Sequence, residues 1–173
     1  DDKAISGLGG FYANTKLVAE NIFNYFKSKG LHVAILRPSS VYGTGMNEDA
    51  MIPAFIREAS QGKTLEVYDY NNKINFINAY DVANASFMCY KKNIYRTFNI
   101  ASGSLISLLE LANLITQIVK NGNVKAVKIS KKPLRRFDLN CSKAHNEINF
   151  IPLINLSKGI LSMKKNDIQI LTK

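Results

Sequence analysis

Tyr12 and Lys16 stand four residues apart in the run Tyr12-Ala13-Asn14-Thr15-Lys16, at the start of a segment with helical spacing. Residues four apart share one face of a helix. An ammonium beside a phenol favours the phenolate, and a phenolate is a base. A short apolar run follows and ends in Arg37-Pro38-Ser39-Ser40-Val41-Tyr42-Gly43. A strand ending in Pro and small polar residues near such a pair can form the floor of a cofactor site. The chemistry these types allow is coupled movement of a proton and a hydride.

The spacing by itself is a weak signal in a chain with eight tyrosines and many lysines. A second match, Tyr25 and Lys29, lies near the end of the same helical segment, next to Gly30. Context separates the two. Tyr12 opens the helix and has a whole helix and then a strand behind it. Three glycine-containing runs invite a phosphate-binding reading and fail it. Gly7-Leu8-Gly9-Gly10 has no strand before it and Tyr12 in place of the third glycine. Gly43-Thr44-Gly45 has Glu48 in that place. Gly62-Lys63-Thr64 has Arg57 where a P-loop starts with glycine. All three read as loops.

The elements that must position the pair follow from periodicity. Residues 11–29 predict a helix, with Leu17, Ala19, Ile22, Phe23 and Phe26 as its apolar positions and Gly30 as its stop. Val33 to Leu36 reads as a buried parallel strand. Helix, glycine turn and buried strand make one repeat of an α/β fold. Further on, the sequence predicts helices over 51–60, 81–90 and 107–120, with Asp81 and Ser107 as caps. It predicts strands over 64–68, 75–79, 97–101 and 124–129. A short helix starts at Ser142, and Pro152 to Met163 leads into the last one. Residues from Lys164 onward read as a loose tail.

Composition bounds the function. The 173 residues carry 23 Lys and Arg against 13 Asp and Glu, a net charge of +10. The basic residues are scattered except for Lys131-Lys132-Pro133-Leu134-Arg135-Arg136, and no aromatics alternate with them. The balance favours an anionic small molecule over nucleic acid. Cys89 and Cys141 have no CxxC spacing, and neither His32 nor His145 has a partner in sequence. No metal site is expected, and the thiols read as free in a reducing cytosol. No apolar run approaches the roughly 18 residues of a membrane span. The sequence begins at Asp1 without Met, and the reading is of a piece of a longer protein, cytoplasmic in location.

The chain resembles the C-terminal part of an extended short-chain dehydrogenase/reductase, in the NAD-dependent epimerase/dehydratase group that acts on nucleotide sugars. The resemblance is an ordered series. Tyr12 to Lys16 matches the family's Tyr-x-x-x-Lys, and Arg37 to Met46 its R-P-x-x-V-Y-G-P-G-M segment. Asn75-Phe76-Ile77 and Asp81-Val82-Ala83 match a strand and the helix after it. Phe98-Asn99-Ile100-Ala101-Ser102-Gly103 matches its Y-N-I-G-x-G turn. Arg135, Asp138, Ser142-Lys143-Ala144 and Pro152 match its late signature. Ile74 stands where an arginine is common, with Lys73 beside it.

The resemblance implies an α/β fold: the trailing part of a Rossmann-type parallel sheet over residues 1–45, then a mostly substrate-binding lobe over 46–173. It implies Tyr12 and Lys16 as catalytic and cofactor-binding residues. Pro38, Ser39, Ser40 and Val41 would line the nicotinamide of NAD or NADP. Lys73 and Arg135 would bind the substrate diphosphate. It implies a nucleotide-sugar substrate and a homodimer formed through the Tyr12 helix, with no nucleic-acid or membrane partner. The family's dinucleotide turn and catalytic Ser or Thr would lie N-terminal to Tyr12. The alternative is a non-catalytic remnant or binding module that keeps the fold alone.

Overall fold

A computed structural model describes residues 10–127 and 138–166. Seven strands and six helices alternate along them in α/β order. The first helix, α1, spans Gly10–Ser28 and is followed by β1, Ile35–Pro38, and β2, Ser40–Tyr42. Helix α2 is Met51–Ser60 and β3 is Thr64–Tyr68, both where the periodicity placed them. Next come β4, Lys73–Asn78, α3, Ala79–Lys92, and β5, Thr97–Ile100. Then β6, Leu105–Ser107, leads into α4, Leu108–Val119, and β7 covers Asn123–Val127. Helices α5, Ser142–Ile148, and α6, Leu156–Lys165, close the described chain.

The strands form three small sheets. β1 pairs parallel with β5, β3 pairs parallel with β7, and β4 sits between β2, parallel to it, and β6, antiparallel. Two apolar clusters hold the layers. One gathers Tyr42, Ile52, Leu65, Val67, Leu111, Ile115 and Ile160 around α2, β3, α4 and α6. The other gathers Ile77, Ala85, Phe98, Ile100, Ala144 and Ile148 around β5, α3 and α5.

Three expectations change. The first strand lies two residues later than the apolar run suggested, because Ile35 and Leu36 align with Thr97 and Phe98, and Arg37 and Pro38 complete the register. Asp81 is not the cap of α3. Asn78 is, accepting from the Tyr80 N–H at 2.9 Å. Asp81 is instead fully buried inside α3, where its two carboxylate oxygens accept the Leu153 and Ile154 N–H groups at 2.8 and 3.1 Å. Lys164 is not in a loose tail. It ends α6, and its ammonium donates to the terminal carbonyls of α4 at Ile118 and Val119, as a cation at a helix C-terminus should. No residue of α1 is buried, and its apolar positions Ile22, Phe23 and Phe26 are about half exposed. The capping box at Ser107 and Glu110 forms as its spacing predicts.

Helix α1 is tied to the sheet by charge. The Arg37 guanidinium on β1 forks onto the Glu20 carboxylate on α1, with Nε to Oε1 at 2.9 Å and Nη2 to Oε2 at 2.6 Å. The two side chains are 20% and 14% exposed, so water screens the pair weakly. We predict that Arg37→Ala removes about 1–3 kcal/mol of local stability. Amide hydrogen exchange should accelerate across α1 and stay unchanged in α4. Equal exchange in α1 of the two proteins would remove the pair's role.

Burial pushes the Asp81 carboxyl above the usual carboxylate range, against the two backbone N–H groups that favour its charged form. Its folded pKa then exceeds the unfolded one, so the native state binds the proton more tightly. The group's contribution is complete below the ordinary range and is lost as pH rises through the folded value. The unfolding free energy of the wild type minus that of Asp81→Asn should therefore shrink in urea titrations as pH rises above the ordinary carboxylate range. A difference that grows with pH contradicts this placement of Asp81.

Candidate functional site

The first turns of α1 face the end of β1 and the start of β2 across a groove of about 1050 Å³. Tyr12 and Lys16 line one wall, with Glu20 and Phe23 further along the same helix. Pro38, Ser39, Ser40 and Val41 line the other. The chain arrives there for local reasons. The Ser39 N–H donates to the Ile100 carbonyl at 2.9 Å, which carries the β1–β5 pairing one residue past Pro38. Ser40 then pairs with Phe76 and starts β2 on a different neighbour. Proline lacks an N–H and suits this hand-over between sheets.

Within α1 the Lys16 ammonium lies 5.2 Å from the centre of the Tyr12 ring. Tyr25 and Lys29 reproduce this contact at 5.7 Å. The helix spacing alone thus brings a lysine onto a tyrosine. What distinguishes the first pair is its setting, since Tyr12 and Lys16 border the groove and the second pair does not. Tyr12 is 73% exposed.

The groove has a polar floor residue that the sequence reading quoted in a motif but did not assign to the site. Asn75, on β4, is 1% exposed and borders the groove. Its Oδ1 accepts from the Ser102 N–H at 3.0 Å, the Ser102 hydroxyl at 2.9 Å and the Ser39 hydroxyl at 3.2 Å. A backbone N–H can only donate, so the atom facing it must be the amide oxygen. That fixes the orientation of the amide and leaves Nδ2, a buried donor, with no hydrogen-bond partner. An unpaired buried donor costs about 1–3 kcal/mol. A polar residue on a buried position of a strand is the signal that marks Asn75. It becomes visible once the burial of alternate residues is known.

The other expected site residues lie elsewhere. Lys73 is exposed at the start of β4, in register with Ser107, and does not border the groove. Its charge helps Ser107 hold the Glu110 carboxyl below the usual carboxylate range. Arg135 lies outside the described residues. Both cysteines are free thiols, Cys89 buried and Cys141 partly so. Among the described residues no group of three or more His, Cys, Asp or Glu is placed to hold a metal ion, and no helix is long and apolar enough to cross a membrane.

The donor set suits the nicotinamide end of a dinucleotide. A phenol, an ammonium and serine hydroxyls surround a groove that also has apolar wall at Phe23, Ile35 and Val41. A flat heteroaromatic ring with a ribose and a carboxamide asks for this mixture.

Comparison with known proteins identifies the family. The chain is 27% identical over 133 residues to dTDP-4-dehydro-6-deoxy-D-allose reductase from a Streptomyces species, covering 71% of this chain and 40% of the relative. The structure of UDP-N-acetylglucosamine 4-epimerase from Bacillus cereus superposes with a TM-score of 0.78 at 28% identity, covering 90% of this chain and 53% of that one. A dTDP-glucose 4,6-dehydratase from Bacillus anthracis, solved in complex with NAD, matches with a TM-score of 0.77 at 22% identity over 94% and 57% of the two chains, which speaks for the fold alone. The chain therefore spans about half the length of the proteins it matches. The sequence model of the NAD dependent epimerase/dehydratase family matches residues 8–101, more than half of the 173, and carries the Tyr12 helix, both walls of the groove and Asn75: this chain belongs to that family.

Proposed function

We propose that this chain supplies the proton-transfer helix and the nicotinamide-facing wall of an NAD- or NADP-dependent enzyme that acts on a sugar carbon of a nucleotide sugar. One observation carries the reading: Tyr12 and Lys16 share a groove with Pro38, Ser39, Ser40 and Val41. Family membership and the enzymes it resembles support it.

A bound nicotinamide supplies hydride acceptor and donor chemistry. The chain's own residues do the rest. The phenolic oxygen of Tyr12 takes the proton of a sugar hydroxyl as the carbon beneath it is oxidised, and returns one when the carbon is reduced. The Lys16 ammonium would hold the nicotinamide ribose as a hydrogen-bond donor. Ser39 to Val41 form the surface on which the ring rests. Lys73 and Arg135 are proposed for the substrate diphosphate, which a guanidinium fork fits well. Residues 1–45 belong, on this reading, to the cofactor-binding unit and 46–173 mostly to the substrate lobe, in a cytoplasmic enzyme. The half-exposed Ile22 and Phe26 of α1, which do not border the groove, favour a homodimer through that helix. The second reading, a binding module without turnover, separates from the first by experiment.

Lys16→Ala should weaken nicotinamide mononucleotide binding to this chain about tenfold in calorimetric titration, and Tyr12→Phe should leave it within about twofold. In the native gene product that carries these residues, Tyr12→Phe should lower turnover of nucleotide sugars by about 10²–10⁴. Wild-type turnover in the Phe variant defeats the assignment of Tyr12. Binding with no turnover by the native product selects the binding module.

A further inference from the structure

We propose that a second, polar pocket of this chain binds a phosphate group, apart from the groove of Tyr12 and Lys16. The pocket measures about 460 Å³ and lies between the last turns of α1, the β1–β5 pair and α5. Asn24 and Lys27 reach it from α1, Arg37 from β1, Arg96 and Thr97 from the start of β5, and Lys143 and Glu147 from α5. All of its walls are polar, and four cations face the one carboxylate of Glu147. That carboxylate accepts from Arg96 Nη1 at 3.2 Å, while Arg37 is forked onto Glu20. Neither acid serves Lys27. Among the described residues its ammonium has no hydrogen-bond or ion-pair partner. Lys27 is nevertheless half-buried, in a turn where Asn24, Tyr25, Phe26 and Ser28 are exposed. A cation in the last turn suits the helix dipole, but that role does not require burial against a pocket wall.

Charge and shape together name the ligand. Surplus positive charge in a concavity concentrates anions, and the net charge of +10 adds to it. A phosphate presents its oxygens tetrahedrally, so it can accept from guanidinium, ammonium and hydroxyl donors on different walls at once. Arg96, Lys27 and Thr97 carry one donor of each kind. A carboxylate has its two oxygens in one plane and engages fewer walls. Nucleobases and other rings are held mainly by apolar contact, and this pocket has no apolar wall. The recognised group is therefore the phosphate itself, free or carried by a small sugar ester. Arg37 borders both this pocket and the groove, whereas Thr97 and Lys143 do not border the groove.

The test follows the backbone amides of Lys27, Thr97 and Lys143 by nuclear magnetic resonance of the ¹⁵N-labelled 173-residue chain. Sodium phosphate or, separately, glucose 6-phosphate is added at an ionic strength held constant with sodium chloride. All three amides should shift along one saturating isotherm. Lys27→Gln should weaken binding about fivefold. Lys63→Gln, at an exposed lysine outside the pocket, loses the same net charge and should leave binding unchanged. If Lys27→Gln does not fold, Arg96→Gln gives the same readout, and the wild-type titration stands without either. Tighter binding of the ester assigns the site to a phosphorylated sugar, and tighter binding of the inorganic ion assigns it to free phosphate. Both results uphold the site. Shifts that rise without saturating, equal losses in Lys27→Gln and Lys63→Gln, or shifts at Lys16 and Val41 with Thr97 and Lys143 stationary overturn the inference. None of these results bears on the role of Tyr12.

Discussion

Three chain segments meet at one atom, the Oδ1 of Asn75. The Ser39 hydroxyl reaches it from the end of β1, and the Ser102 N–H and hydroxyl reach it from the turn after β5. Asn75 itself is held in β4 by pairing with Leu105 on β6. This convergence links the β1–β5 pair to the β2–β4–β6 sheet, which share no ladder. Because the atom is buried, each of these bonds forms in a low-dielectric setting where the alternative is an unpaired group. The floor of the groove is thereby fixed in position.

The helix opposite is held in a different way. No side chain of α1 is buried, and its link to the sheet is the Arg37–Glu20 fork. A directional ion pair sets the rotation of the helix about its axis, and that rotation decides which face looks into the groove. Glu20 lies four residues after Lys16, which lies four after Tyr12, so the three side chains form one stripe. Anchoring the last of them through Arg37 aims the other two. The apolar positions of the helix remain half exposed, and the outer edge of β1 carries no strand among the described residues. Both are surfaces of the kind that larger α/β proteins cover, in keeping with relatives about twice as long.

Asp81 and Lys164 show how burial and helix ends place charge away from the groove. Asp81 reads as a helix cap from sequence because an acidic residue stands before an apolar run. Asn78 takes that role three residues earlier, and Asp81 instead anchors the backbone that enters α6. Lys164 reads as tail because it follows the last apolar residue. It closes the open carbonyls of α4, an element 45 residues away in sequence. In both cases the local pattern described the residue type correctly, and a distant backbone segment chose its partner.

The sequence by itself determined the α/β order, the bounds of α2 and β3, the Ser107–Glu110 capping box, and the family, whose motifs run in order along the chain. These rest on near neighbours: helical and strand periodicity, caps three residues apart, and motif order. It also named the Tyr12–Lys16 pair and the Pro38–Val41 segment. It could not rank that pair above Tyr25–Lys29 by geometry, because any helix brings residues four apart together. Only the tertiary structure decided which tyrosine faces the groove, that Asn75 forms its floor, and that Arg37 holds the helix above it. Each of those depends on residues tens of positions apart meeting across a sheet. Such meetings are set by strand register and burial, which no short stretch of sequence encodes.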